Sequence, residues 1–308
     1  MVHGSSFLRI AVLAPSLLAA RGAWAAGAAA VLSPAPAAAA ARSLELRQTV
    51  SLTASDGTSL RADWWHGGTD TAGIVVVLPG YAQHKGTGTM RYIAGELSPT
   101  SDVLVLDFRG TGDSAGSFTF GAQEPEDAQA ALQWATERYR DVTLLGFSLG
   151  SYTALRTSVE GPLRPDRALL VSLPVRLEGI ISSGGVFSFC FKGVWQQAHD
   201  PLVVPEDADQ FFRWGPLFLP KPKAPDLAAQ AAIPLHLLSG AKDLLVYSDQ
   251  SRRSFDAIPG AASWTLWPDG RHAEHMALKH PQAFADWVQH CRQWTGTGKA
   301  EDPFGVPE

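Results

Sequence analysis

The stretch Val142-Thr143-Leu144-Leu145-Gly146-Phe147-Ser148-Leu149-Gly150 decides how this chain is read. Its first part is an apolar run of strand length, and it ends in a G-x-S-x-G pentapeptide. A strand entering a helix through so tight a turn forces the central residue into a strained backbone conformation, and small residues two positions either side make the room. Ser148 is thereby a candidate nucleophile, with its hydroxyl lifted clear of the sheet edge. A helix over about 149–159 would aim its leading amides at the same point, where acyl transfer develops negative charge. Taken alone, the pentapeptide also fits an ordinary strand-to-helix turn, because Gly and Ser are common residues.

The surrounding sequence supports the first reading. Gly73-Ile74-Val75-Val76-Val77-Leu78 is β-branched, of strand length and stopped by Pro79-Gly80, which predicts a buried parallel strand. The turn behind it can supply a backbone donor. Residues 102–108 form a second such run and lead into the Gly-rich connection Arg109-Gly110-Thr111-Gly112-Asp113-Ser114. Further strands are expected at 169–173, 234–240 and 264–267. Helices are expected from Pro125 to about Tyr139, around 249–256 and over 281–294, with Glu124, Glu126 and Asp127 read as capping and solubilising the first of them. This alternation predicts an α/β fold, a doubly wound, mostly parallel sheet covered on both faces. Ligands then bind at the carboxyl ends of the strands, where Ser148 lies.

A serine nucleophile needs a base and a group that orients it. Asp243, just beyond the 234–240 strand in Gly240-Ala241-Lys242-Asp243, is the expected carboxylate, although Asp is also a common turn residue. Past the last strand, Pro268-Asp269-Gly270-Arg271-His272-Ala273-Glu274-His275 offers two histidines. Spacing does not choose between them. His272 is nearer the strand end and is the expected base, while His275 falls in the first turn of the succeeding segment. The pair lacks the H-E-x-x-H arrangement and has no cysteine nearby, so no metal is expected.

In their order along the chain, Ser148, Asp243 and His272 resemble the catalytic residues of the α/β-hydrolase family. The resemblance runs from about residue 50 to 294. Pro79-Gly80-Tyr81 is similar to the family's His-Gly-x oxyanion turn, with proline in place of histidine, and 107–114 to its Asp-x-Arg-Gly-x-Gly-x-Ser loop. The resemblance implies a serine hydrolase with no cofactor, whose oxyanion donors are the backbone amides of Tyr81 and Leu149. Main-chain donors survive the change to proline, which bears instead on how the loop packs. The long segment 176–233 resembles the family's cap insertions. Its aromatics Phe187, Phe189, Phe191, Trp195, Phe211, Phe212, Trp214 and Phe218 would either roof an apolar pocket or bury the insertion against the sheet, with Lys192 and His199 at the surface.

The expected activity is hydrolysis of a carboxylic ester of a small or lipophilic acyl group through an acyl-enzyme on Ser148. An acyl-thioesterase or acyltransferase would use the same three residues, and a catalytically silent ligand-binding member of the fold is the alternative of another class. Dehalogenases and epoxide hydrolases need an aspartate where Ser148 stands.

With 308 residues, 45% hydrophobic and 18% charged, the chain can bury one large core. A net charge of -5 and the lack of a basic run argue against nucleic acid as a partner, leaving a small-molecule ester or thioester. Residues 1–44 contain no Asp or Glu and carry Arg9 ahead of the apolar stretch 10–20, which Ala23-Trp24-Ala25 follows as a small-x-small cleavage signal. Residues 1–25 are therefore expected to be a signal peptide, 26–44 an Ala/Pro-rich tether, 45–298 the hydrolase domain and 299–308 a tail. The expected destination is the periplasm or beyond, with an organelle transit peptide or an uncleaved anchor as rivals; only the anchor implies membrane contact. Cys190 and Cys291 lie in distant segments and are expected to be unpaired thiols, with Cys291 on an apolar stripe of the last helix.

Overall fold

The structure, a computed structural model, describes residues 46–67, 69–177, 213–216 and 219–305. The expected signal peptide, tether and most of the expected cap, including Phe187, Phe189, Cys190, Phe191, Lys192, Trp195, His199, Phe211, Phe212 and Phe218, lie outside the described residues.

Among the described residues nine strands form one sheet in the order β1-β2-β4-β3-β5-β6-β7-β8-β9. Six of them, β3 (Asp70–Leu78), β4 (Ser101–Asp107), β5 (Asp141–Phe147), β6 (Arg167–Val171), β7 (Leu235–Gly240) and β8 (Ala262–Trp267), make the parallel body of the sheet. Their side chains are buried on both faces, which is why these segments read as continuous apolar runs. Consecutive residues point to opposite faces, so each run feeds two cores. Ile74, Val76, Leu78, Leu144 and Leu170 pack on one face; Val75, Val77, Leu145, Phe147 and Val171 pack on the other. Helices α2 (Glu124–Thr136), α3 (Leu149–Glu160), α4 (Ala224–Ala228) and α5 (Ser248–Ala257) flank the first face. Helices α1 (Gly88–Leu97), α6 (Glu274–Lys279) and α7 (Pro281–Gln293) cover the second. Cys291 is buried there beside Phe284, Trp287 and Val288, on the stripe expected for it.

Several particulars differ from the sequence reading. Strand β6 stops at Val171 rather than Leu173, because Ser172 adopts φ 52° and turns the chain out of the sheet. Two antiparallel strands, β1 (Arg47–Thr53) and β2 (Ser59–Trp65), extend the sheet beyond β4. Residues expected as a tail supply β9 (Lys299–Glu301), parallel to β8. The end of the expected cap joins the body of the domain: α4 packs Ala224, Leu227 and Ala228 into the first core.

Glu124 and Asp127 are buried rather than solvating α2. The Glu124 carboxylate accepts from the Thr119 amide at 2.6 Å and the Gly121 amide at 2.7 Å, and Asp127 accepts from the Arg109 amide and Nε, both at 2.8 Å. Buried carboxylates persist when donors surround them in this way. The Asp-x-Arg-Gly loop is therefore a structural staple. Asp107 accepts from the Lys85 amide at 2.7 Å and the Asp113 amide at 2.9 Å, and Arg109 reaches Asp56 as well as Asp127.

Candidate active site

Ser148 stands between β5 and α3 with φ 49° and ψ -108°, a strained conformation for a side-chain-bearing residue. The flanking glycines are sterically required. A Cβ on Gly146 would overlap the Gly150 carbonyl, and one on Gly150 would overlap the Leu78 and Pro79 carbonyl oxygens. These are backbone atoms that cannot swing aside. Leu149 opens α3, so its amide is among those without an acceptor inside the helix. Leu78 and Pro79 pass directly over the elbow, as the overlap at Gly150 shows, and a Cβ on Gly80 would lie 3.3 Å from the Phe147 carbonyl oxygen.

Asp243 and His272 meet at the carboxyl ends of β7 and β8. The imidazole Nδ1 lies 2.9 and 3.0 Å from the two carboxylate oxygens. A carboxylate only accepts, so Nδ1 carries the proton donated to it and Nε2 is left as the basic nitrogen. Burial opposes the charged imidazole, but the Asp243 carboxylate, with a smaller contribution from Glu274, outweighs it and raises the His272 pKa above the ordinary 6.5. Asp243 is fully buried and also accepts from the Leu245 and Val246 amides, both at 2.9 Å. His275 enters α6, and its amide donates to the His272 carbonyl at 3.1 Å.

One residue the sequence did not single out ties these parts together. The Ser172 hydroxyl donates to Asp243 Oδ2 at 2.8 Å and accepts from the Ala273 amide at 3.0 Å. Its neighbour Val171 accepts from the Ser148 amide at 2.9 Å. The nucleophile candidate, the carboxylate and the histidine loop thus all hang from the last residue of β6 and the one after it. No local pattern announces this role, since serine after a strand is common; its positive φ is visible only in the fold.

At the turn Pro79-Gly80-Tyr81 stands a group of aromatic rings. Tyr81 lies 6.3 Å from Phe118, 5.8 Å from Phe120 and 6.2 Å from Trp214, measured between ring centroids. Trp214 is the described aromatic of the expected cap, and the residue is 50% exposed. Main-chain bonds hold that segment in place: the Phe118 amide donates to the Arg213 carbonyl at 2.6 Å, and the Gly215 amide to the Phe118 carbonyl at 2.8 Å. Among the described residues no group of three or more His, Cys, Asp or Glu side chains is placed to hold a metal ion, and no helix is long and apolar enough to cross a membrane.

A doubly wound sheet with a strained serine between glycines and an aspartate–histidine pair at its carboxyl edge defines the hydrolase branch of α/β architectures. Residues 75–288 match the Alpha/beta hydrolase family, and the chain belongs to it. An esterase of Pyrococcus furiosus shares the fold with a TM-score of 0.60 at 20% identity, over 81% of this chain and 92% of that one. An esterase of Exiguobacterium antarcticum gives 0.61 at 17%, over 80% and 99%. A hydrolase of Pseudomonas aeruginosa gives 0.57 at 20%, over 79% and 98%. At such identities the likeness is one of fold. Among curated proteins, an uncharacterised protein of Rickettsia prowazekii is 37% identical over 76 residues, 24% of this chain, and the match spans 32% of that protein's length.

Proposed function

We propose that this protein is a serine hydrolase that cleaves carboxylic esters of small or lipophilic acyl groups. The observation that carries the reading is the shared anchorage of Ser148, Asp243 and His272 at the end of β6, with the His272 Nδ1 on the Asp243 carboxylate. Ser148 Oγ attacks the ester carbonyl carbon while His272 Nε2 takes its proton. The tetrahedral oxyanion accepts from the amides of Tyr81 and Leu149. Its collapse breaks the bond to the alcohol, which leaves with the proton from His272. Water then attacks the acyl-serine, gives its proton to His272, and releases the acid and the free serine. Asp243 holds the imidazole in one tautomer and balances its transient charge.

The aromatic side of the site supports an apolar acyl or alcohol group, since Tyr81 and Trp214, backed by the buried Phe118 and Phe120, offer ring surface next to the donor turn. Esterase neighbours of the same fold agree with an ester substrate. The acid-free N-terminal sequence, with its small-x-small signal, supports export.

Ser148→Ala is expected to lower hydrolysis of a short p-nitrophenyl ester by about a million-fold. Wild-type protein should react with a fluorophosphonate at Ser148. Undiminished turnover in the variant would remove Ser148 from the mechanism, and an unreactive wild-type serine would favour a silent ligand-binding member of the fold.

A further inference from the structure

We propose that Glu274 is a positioning residue that fixes the oxyanion turn to the histidine loop; the inference rests on the acyl-transfer reading above. Glu274 is the first residue of α6 and stands two residues after His272. Its carboxylate, which also accepts from its own backbone amide, reaches the turn after β3, where Oε1 accepts from the Gly80 amide at 3.1 Å. Gly80 immediately precedes Tyr81, the proposed donor. Because Pro79 has no N–H, the Gly80 amide is the first donor the turn offers after β3.

Sterics agree with the hydrogen bond. A Cβ on Gly80 would overlap the Glu274 carboxylate and would lie 3.3 Å from the Phe147 carbonyl oxygen, so the carboxylate rests directly against the turn beside the elbow. The far end of the turn is held by other means. The Lys85 amide donates to Asp107 at 2.7 Å, and the Lys85 ammonium pairs with Asp107 and Asp113. Between the two ends lie Tyr81, Ala82, Gln83 and His84, with Ala82 at φ 66°. A turn gripped at both ends presents the Tyr81 amide in one orientation. With the Glu274 end released, that amide can rotate away from the developing oxyanion, where a displacement of about 1 Å is worth up to a hundred-fold in rate.

The test compares three variants of the full chain. Glu274→Gln keeps an oxygen acceptor for the Gly80 amide, Glu274→Ala removes it, and Glu274→Asp keeps the charge on a side chain too short to reach. Turnover of p-nitrophenyl butyrate, the rate of fluorophosphonate labelling and the thermal midpoint are measured for each. The expected result is a kcat about ten- to a hundred-fold lower for Ala and Asp, with KM within about two-fold, labelling slowed in parallel and Gln within about three-fold of wild type. Wild-type turnover in Glu274→Asp, or equal losses in Gln and Ala, would overturn the proposal. Should Glu274→Ala fail to fold, the Gln and Asp variants still decide it. If wild-type Ser148 does not label at all, the acyl-transfer reading fails; if it labels and Glu274→Ala labels equally fast, only the role of Glu274 fails.

Discussion

At the turn from β5 into α3, Ser148 has φ 49° and ψ -108°; at the entry to α6, Ala273 has φ 44° and ψ -109°. Each turn breaks a chain leaving the sheet into a helix that points back at the site. They differ in where the room comes from. Around Ser148 it comes from glycines two residues away on either side. Along the loop that carries Ala273, the close approaches fall on Gly270 within it and on glycines of other segments: Gly240 of β7, where a Cβ would overlap the Gly270 and Arg271 carbonyls, and Gly80 after β3, where it would overlap Glu274. Similar strained geometry can therefore be accompanied by glycines within five consecutive residues or by glycines drawn in part from other strands.

That contrast can be broken most forcefully at the glycines. Gly150→Ala drives a methyl into the Leu78 and Pro79 carbonyls, and we expect turnover to fall by at least about a hundred-fold, with a stability loss of about 1–3 kcal/mol by urea denaturation. Gly240→Ala should push the histidine loop outward and cost about ten-fold in kcat. Full turnover in Gly240→Ala would mean that the loop does not depend on the remote glycine for its place. A pH profile sharpens the picture further. In the proposed mechanism the neutral imidazole is the base, and the Asp243 carboxylate favours the charged one, so kcat/KM should be lost as pH falls through a value above 6.5. A limb at or below 6.5 would show that the carboxylate does not reach the imidazole in solution. The smallest effect is expected at Ala273→Gly. Relief of about 1–3 kcal/mol of backbone strain is partly offset by about 1 kcal/mol of unfolded-state entropy, giving a gain of about 0–2 kcal/mol in the stability measured by urea denaturation.

The same contrast explains how much of the fold and site is legible in the sequence. The elbow and the six parallel strands are legible because their determinants are local: short-range glycines in one case, continuous apolar runs in the other. The hairpin β1–β2 and the polar β9, Lys299-Ala300-Glu301, carry no such run. Strand β6 reads two residues long because Ser172 and Leu173 continue its apolar pattern while the chain is already turning. Glu124 and Asp127 look like surface caps, since nothing in their neighbourhood says that Thr119 and Arg109 will enclose them. Asp243 and the histidine loop are legible from their place after strands, although spacing leaves His272 and His275 unresolved; the fold lays His272 against Asp243. Ser172 and Glu274 act through hydrogen bonds spanning 71 and 194 residues, distances at which sequence pattern carries no signal.

Because the groups proposed for bond cleavage all take their positions from Val171 and Ser172, a slip of one residue in that central strand would disperse them together. An assay of ester cleavage thus doubles as a reporter of correct pairing in the middle of the sheet. During refolding, recovered turnover should trail, never precede, the docking of β6 between β5 and β7.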